Sequence, residues 1–315
     1  MVETREKETN FVSAVIYIHN SAAALREFLT AVREVLGENF AHGEIICVDD
    51  ASQDESREVI RAVAKKGDGI GVSLLSMSHY HGVEAAMNAG VDLSIGDFVF
   101  EFDSALLDFP PELIMTVYRR SLDGYDIVNA APQGKNRLSS GLFYWLFDKF
   151  SHVSYHLTTE RFRILSRRVI NRVASMNKAI PYRKAVYAGC GFPMDNIFYE
   201  ARPGHTAAED TEENSYRQRL AVDAMLLFTD VGAKISAYMT GLMMMVAVLT
   251  AVYALITYVE RSPVAGWTST TLFLSFAFFC LFGLLTLIAK YLQLIVRLVF
   301  QRQHYSFIGI EKLTK

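Results

Sequence analysis

The sequence predicts an α/β chain: a doubly wound, mostly parallel sheet, followed by a C-terminal two-helix transmembrane hairpin with flanking interfacial helices. Three observations predict it. Short apolar runs alternate with amphipathic stretches of helical period through the N-terminal part of the chain. A polar turn follows each apolar run, as at the ligand-binding edge of an open α/β sheet. Two uncharged apolar runs, Tyr238–Val259 and Trp267–Ala289, then lie near the C-terminus. At ~1.5 Å per residue each run spans roughly 33 Å, enough to cross the hydrocarbon core of a bilayer.

Residues 12–18 (VSAVIYI) are the first predicted strand, His19-Asn20-Ser21 a turn, and Ala22–Leu36 an amphipathic helix. Glu44–Val48 is the second strand, closed by Asp49-Asp50-Ala51-Ser52. Ser52 or Asp54 caps the next helix, Glu55–Lys65, because a short polar side chain accepts a first-turn amide. Gly71–Ser76 is the third strand, His79–Gly82 a turn and Val83–Leu93 a helix. The fourth strand, Phe98–Phe102, stops at a carboxylate, Asp103, and Pro110-Pro111 starts another helix. Asp126–Ala130 adds a further strand. Gly141–Ser151 reads as an aromatic amphipathic helix, and Arg161–Ile170 begins as a strand and enters a helix. Ala207–Asn214 is an acidic polar loop, while Tyr216–Ala233 and Tyr291–Arg302 alternate cations with an apolar stripe, as interfacial helices do. The chain thus divides into a head (1–215), a juxtamembrane helix (216–234), the hairpin (235–290) and a C-terminal juxtamembrane segment (291–315).

The loop between the apolar runs, Glu260–Gly266, is short and carries only Arg261, whereas the flanks carry Arg217, Arg219, Lys234, Lys290, Arg297, Arg302 and Lys312. Positive flanks place the head and C-terminus in the cytoplasm, in a multi-pass protein of the inner membrane. The polar N-terminus, MVETREKETN, has no apolar signal region. Cys47, Cys190 and Cys280 are too few and too scattered for a disulfide frame or a zinc site. A net charge of −3 argues against nucleic acid as a partner.

Three strand ends offer hydrogen-bond acceptors to one crevice: His19-Asn20-Ser21, Asp49-Asp50 and Asp103. Carboxylates there suit ribose hydroxyls, base N–H groups or a divalent cation. No P-loop or G-x-G-x-x-G is present, which removes Walker ATPases and dehydrogenases. Asp49 and Asp50 alone are a weak signal, since aspartate after a strand is often a turn former. The histidine pairs His79/His81 and His152/His156 lack a third ligand, and Gly189-Cys190-Gly191 reads as a tight turn.

The order SAVIYIHN, IICVDDASQD, HGVEAAMNAG, GDFVFEFD, RFRILSRRV and ENSYR, followed by the hairpin, resembles family 2 inverting glycosyltransferases of GT-A fold. Within them it is similar to the polyprenyl-phosphate glycosyltransferases and dolichol-phosphate mannose synthases. The resemblance implies transfer of a sugar from a UDP- or GDP-sugar to undecaprenyl or dolichyl phosphate at the cytoplasmic membrane face, with inversion. It implies nucleotide-sugar contacts at Tyr17, His19, Ser21, Asp50 and Asp103, although the family pattern at the first three is usually Pro, Tyr and Glu. Asp103 and Arg163 are the implied catalytic residues. Arg202, Ser215, Tyr216, Arg217 and Arg219 stand where the family meets phosphates and the lipid headgroup. Asp103 matches the first acid of a D-x-D motif and is the one implied ligand for Mg²⁺ or Mn²⁺. The second acid falls on Ala105 and a nearby amide ligand on Leu107, neither of which coordinates a cation. Asp108, Glu101, substrate phosphates and water would have to complete such a site. A homo-oligomer is compatible with this reading. The rival, motivated by the departures at Tyr17, His19, Ser21, Ala105 and Leu107, is a catalytically silent homologue serving as a binding subunit in envelope-polysaccharide synthesis.

Overall fold

The structure, a computed structural model, describes residues 6–65, 69–133, 160–175, 182–202 and 305–314, with single positions between 238 and 295. The chain divides into two compact units: a head of Met1–Asp148, Val153–Ala221 and Arg302–Lys315, and a second unit of Lys149–His152 and Val222–Gln301.

The head is built on β1 (Val12–Ile18), α1 (Ala22–Asn39), β2 (Gly43–Asp49), α2 (Ser56–Ala64), β3 (Gly71–Met77), α3 (Val83–Leu93), β4 (Phe98–Phe102), α4 (Leu113–Leu122) and β5 (Ile127–Pro132). There follow β6 (Phe162–Ser166), α5 (Arg167–Ser175), α6 (Arg183–Ala188), β7 (Met194–Tyr199) and β8 (Phe307–Lys312). Together the strands make one eight-stranded sheet in the order β7-β5-β6-β4-β1-β2-β3-β8. The central strand, β1, is buried at every residue, as its uninterrupted apolar run requires. Ala14, Ile16 and Ile18 join Phe28, Phe100, Phe102 and Phe162 in one core, while Val15 and Tyr17 join Val48, Met87 and Val99 in the other. This alternation is the period of two expected of a strand covered on both faces. Gly90 lets α3 lie close on the sheet, for a Cβ there would stand 2.4 Å from Val15 Cγ1 and 2.6 Å from Val48 Cγ2.

The sheet is mostly parallel, as expected: six of the eight strands share one direction, and β6 and β8 oppose it. β1 pairs parallel with β2 and β4, β2 with β3, and β5 with β7. β6, however, runs antiparallel to both β4 and β5, and β8 antiparallel to β3. The sheet is mixed. Apolar periodicity marks a strand without fixing its direction, and β6 enters between its neighbours from the opposite end after a long connection.

The C-terminal strand was not anticipated within the 291–315 segment. Leu313 N donates to Val72 O and Arg61 pairs with Glu311, so the chain end is bonded along β3.

Among the described residues no helix is long and apolar enough to cross a membrane. Most of 238–259 and 267–289 lies outside them, as do 141–151, 207–214 and 216–233. The single positions described there are helical. Leu274, Leu281, Leu285, Ile288, Leu292 and Ile295 are all exposed, and each follows the last by three, four or seven residues, which is one helical face. A Cβ on Gly283 would lie 3.1 Å from Met239 Cε, so the start of the first run touches the end of the second.

Candidate functional site

β1 lies between β2 and β4, parallel to both, with Ile18 beside Asp49 and Ile16 beside Phe102. The residues after these strands, Asp50 and Asp103, therefore emerge at one edge of the sheet, about two strand spacings or ~10 Å apart. This edge, outside the carboxyl ends of parallel strands, is where open α/β sheets bind ligands.

The two aspartates at the end of β2 have separate tasks. Asp49 is fully buried; its carboxylate accepts from Arg57 Nε at 2.5 Å and from Ser52 N at 3.2 Å. It braces the β2–α2 turn. Asp50, also buried, accepts from His81 N and Gly82 N, each at 2.8 Å, and from Tyr17 Oη at 3.2 Å. Burial raises its carboxyl above the usual value, against the two backbone donors, the nearby His81 and Tyr17. The acid thus locks the β3–α3 turn across the mouth of β1. His19 Nδ1 meets Asp50 O at 2.7 Å, and the His19 ring lies 4.7 Å from that of Tyr80. Ser21 donates its hydroxyl to His19 O at 2.8 Å. The loops after β1 and β2 are stitched together by Asn20 N to Ser52 Oγ and Gln53 N to Asn20 Oδ1. Each loop carries a residue in the left-handed region, Asn20 at φ 47° and Ala51 at φ 56°. Tyr17, His19, Ser21 and Asp50 are therefore brought together, as the sequence implied. Asp54 takes Ser56 N at 3.1 Å and Ala22 N at 2.9 Å, so it serves both α2 and α1.

Asp103 heads a second cluster. Its Oδ1 accepts from Arg183 Nη2 at 2.6 Å and its Oδ2 from Arg163 Nη2 at 2.8 Å. Burial would raise this carboxyl, but Arg163, Arg183 and Lys184 outweigh it and hold the group well below the usual carboxylate range. Glu101 Oε2 lies 2.8 Å from Arg183 Nη1 and 3.2 Å from Arg163 Nη1, contacts that are electrostatic because their angles fall short of hydrogen bonds. Tyr187 donates to Glu101 Oε1 at 2.8 Å. Glu84 takes Arg183 Nε at 3.0 Å, and Glu160 takes Arg163 at 3.1 Å and Lys184 at 3.4 Å. Arg163 is 1% exposed and Arg183 not at all, so both belong to the floor of the site.

A divalent cation finds no ligand set here. Ala105 and Leu107, where the family ligands would stand, are buried and without oxygen donors. Both oxygens of Asp103 are taken by guanidinium groups. Asp108 is held by Arg161 at 2.5 Å and by Tyr199 Oη at 3.0 Å. The described residues therefore do not fit Mg²⁺ or Mn²⁺, and no grouping of three His, Cys, Asp or Glu side chains among them forms a metal site.

Arg202 follows β7; its backbone N donates to Asp108 O at 2.9 Å and the residue is exposed. Ser215, Tyr216, Arg217 and Arg219 lie outside the described residues, as do His152 and His156. His79 and His81 stack at 3.9 Å in the predicted turn. Cys190 follows the Gly189 end of α6 in the predicted turn, and burial raises its thiol. Burial likewise pushes the Cys47 thiol up to about 12. Sequence reasoning missed Arg183, Glu84 and Tyr187. One signal was available for the first: Arg183-Lys184 puts two cations at a helix N-terminus, where the helix dipole disfavours them unless acids are near.

The family model described as Glycosyl transferase family 2 matches residues 13–176 of this chain. An uncharacterised glycosyltransferase of Synechocystis is 25% identical over 251 residues, covering 77% of this chain and 76% of its own. A prophage bactoprenol glucosyl transferase homolog of Escherichia coli is 26% identical over 266 residues, covering 82% and 85%. An undecaprenyl-phosphate 4-deoxy-4-formamido-L-arabinose transferase of Pseudomonas paraeruginosa is 38% identical over 124 residues, covering 38% and 35%. Among solved structures, glucosyl-3-phosphoglycerate synthase from Mycobacterium tuberculosis, in complex with Mn²⁺, UDP and glucosyl-3-phosphoglycerate, is similar in fold. Its TM-score is 0.50 at 17% identity, over 69% of this chain and 79% of that one. Mannosyl-3-phosphoglycerate synthase from Rubrobacter xylanophilus gives 0.50 at 18%, over 69% and 73%.

Proposed function

The chain is a glycosyltransferase belonging to family 2, and from that premise we propose that it moves a sugar from a UDP- or GDP-sugar to a polyprenyl phosphate, undecaprenyl or dolichyl, at the cytoplasmic face of a membrane. The observation that carries the lipid acceptor is topological. The described head ends at Arg202, and the chain is back on its edge at β8. Whatever membrane path the two uncharged runs take between those points must return to the side it left. Two crossings satisfy this and one does not. The contact of Gly283 with Met239 and the exposed face from Leu274 to Ile295 agree with a lipid-facing hairpin. The names of the Escherichia coli and Pseudomonas relatives, a bactoprenol glucosyl transferase homolog and an undecaprenyl-phosphate transferase, support a polyprenyl acceptor.

The reaction follows from the groups present. A phosphate oxygen of the lipid attacks the anomeric carbon, the bond from that carbon to the nucleoside diphosphate breaks on the opposite face, and the configuration inverts. The nucleophile needs no general base, because the second pKa of a phosphate monoester is ~6 and it is ionised near neutrality. Asp50 fixes the turn that closes over the base and ribose, with Tyr17 and His19 beside it. Asp103, ionised at any physiological pH, accepts hydrogen bonds from hydroxyls of the donor. Arg202, with Arg217 and Arg219, meets phosphate charge.

Radiolabelled UDP- and GDP-sugars supplied to the full-length protein with undecaprenyl or dolichyl phosphate test this reading. Label should pass into the organic phase. No transfer from any common nucleotide sugar, with lipid supplied, defeats it.

A further inference from the structure

We propose that Arg183, together with Arg163, occupies the place at Asp103 that a divalent cation would take, and that the chain binds its nucleotide donor without a metal. This rests on the donor reading above. Each oxygen of Asp103 already accepts from a guanidinium, at 2.6 Å from Arg183 and 2.8 Å from Arg163. A guanidinium does not lose its proton in a protein, so both charges are permanent. A dication on the Asp103 lone pairs would have to displace them or share the carboxylate with two like charges.

No other carboxylate of the cluster is available to compensate. Glu101 lies against Arg163 and Arg183, Glu160 against Arg163 and Lys184, and Glu84 against Arg183. Asp108 is tied to Arg161. At the two positions beyond Asp103 where the family's ligands would fall, Ala105 and Leu107 are 4% and 5% exposed and offer only carbon.

Counting charges limits what the network does. Glu84, Glu101, Asp103 and Glu160 are four acids and Arg163, Arg183 and Lys184 three bases, so the sum is one negative charge. It is therefore no anion hole, and the diphosphate meets its counter-charge at exposed cations such as Arg202. Arg183 is a positioning residue. It holds Asp103 ionised and fixed, as an acceptor for hydroxyl groups, and excludes the metal from it.

Calorimetric titration of the full-length chain with UDP and with GDP, in EDTA and in Mn²⁺, tests this alongside spin-resonance titration of Mn²⁺ into the nucleotide-free protein. Expected are nucleotide affinities that agree within roughly threefold between the two conditions, and no stoichiometric Mn²⁺ binding. Tightening by roughly tenfold or more in Mn²⁺ overturns the metal-free site while leaving the donor reading intact. Binding of neither nucleotide in either condition removes the donor reading, and the inference with it. Arg183→Gln frees one oxygen of Asp103 and a side of Glu101, and a folded variant is expected to acquire Mn²⁺-dependent nucleotide binding. A folded Arg183→Gln whose affinity ignores Mn²⁺ overturns the role given to Arg183. Should the variant not fold, the wild-type titrations decide alone.

Discussion

The Asp103 carboxylate and the Arg183 guanidinium meet at 2.6 Å, joining the end of β4 to the first residue of α6 across 80 positions of sequence. The pair is part of the interior: Arg183 is fully buried and Asp103 only 20% exposed. Without the Asp103 charge, Arg183 still faces Glu84 and Glu101, and Arg163 still faces Glu101 and Glu160, so what is lost is charge-assisted hydrogen bonding, about 1.5–3 kcal/mol. Asp103→Asn should therefore lower stability by about that amount in chemical denaturation, as well as abolish transfer.

The same pair sets a pH dependence. Asp103 titrates well below the usual carboxylate range in the folded head, against about 3.9 in an unfolded chain. A carboxyl with a depressed folded value stabilises above its unfolded value and loses that contribution as pH falls toward the folded one. The stability gap between wild type and Asp103→Asn should thus be constant from neutrality down to about pH 5 and narrow below about pH 4. A gap that instead closes between neutrality and pH 5 would contradict this assignment.

Asp49 and Asp50 are adjacent yet differ in what they hold. Asp49→Asn weakens the bond to Arg57 and the β2–α2 turn, and a stability loss of about 1–3 kcal/mol is expected, with nucleotide affinity nearly unchanged. Asp50→Asn confronts His81 N, Gly82 N and Tyr17 Oη with an amide that accepts through one atom only. Nucleotide affinity should fall by roughly tenfold or more. Equal losses of affinity in the two variants would deny Asp50 its separate role.

Ala51 carries a side chain at φ 56°, a conformation that costs an L-residue roughly 1–2 kcal/mol and glycine little. Glycine gives back part of that gain through the freedom of its unfolded chain, about 0.5–1 kcal/mol. Ala51→Gly should therefore stabilise the head by about 0.5–1 kcal/mol and raise its melting temperature by roughly 2 °C. A lower melting temperature would mean that the loop relaxes away from this conformation.

How much of this was legible in the sequence differs from element to element. β1, α3 and β4 were read to the residue, because each is a run whose period or abrupt ending fixes its limits. The grouping of His19 with Asp50 was legible too, since ends of parallel strands share one edge, whereas Tyr17 was implied only by the family resemblance. The antiparallel course of β6 was not, because periodicity carries no direction. Nor was β8, whose sequence FIGIEK is short and largely exposed, so that burial left little pattern to read. Arg183 was hidden for another reason: its partners Glu84, Glu101 and Asp103 come from α3 and β4, and only the folded sheet brings them within 3.0 Å of it.

Gly90 faces the sheet with no room for a methyl group. A Cβ there would stand 2.4 Å from Val15 Cγ1 and 2.6 Å from Val48 Cγ2, both in buried strands that cannot easily give way. Gly90→Ala should cost about 1–3 kcal/mol through overpacking, even though alanine favours a helix by about 1 kcal/mol. A stabilised variant in thermal denaturation would show that α3 can lift off β1 and β2 without loss.

The segment leading into β8 reaches the Asp50 edge of the sheet through His81. Its Nδ1 donates to His79 O at 2.5 Å, so its Nε2 is free to accept the backbone N–H of Ser306 at 3.1 Å. Ser78 N donates in turn to Ser306 O at 3.0 Å, and Tyr305 Oη to Asp92 at 2.5 Å. The turn that these contacts brace is the one whose His81 and Gly82 amides hold Asp50. Ser306→Pro removes the N–H, and with it the hydroxyl that meets Ser78 and His81, while leaving β8 in place, so it should loosen that turn without unfolding the sheet. Amide exchange at residues 79–82 is expected to quicken, and nucleotide affinity to fall by roughly threefold to tenfold. Unchanged exchange there, in a variant whose β8 amides stay protected, would show that the turn stands without the returning chain.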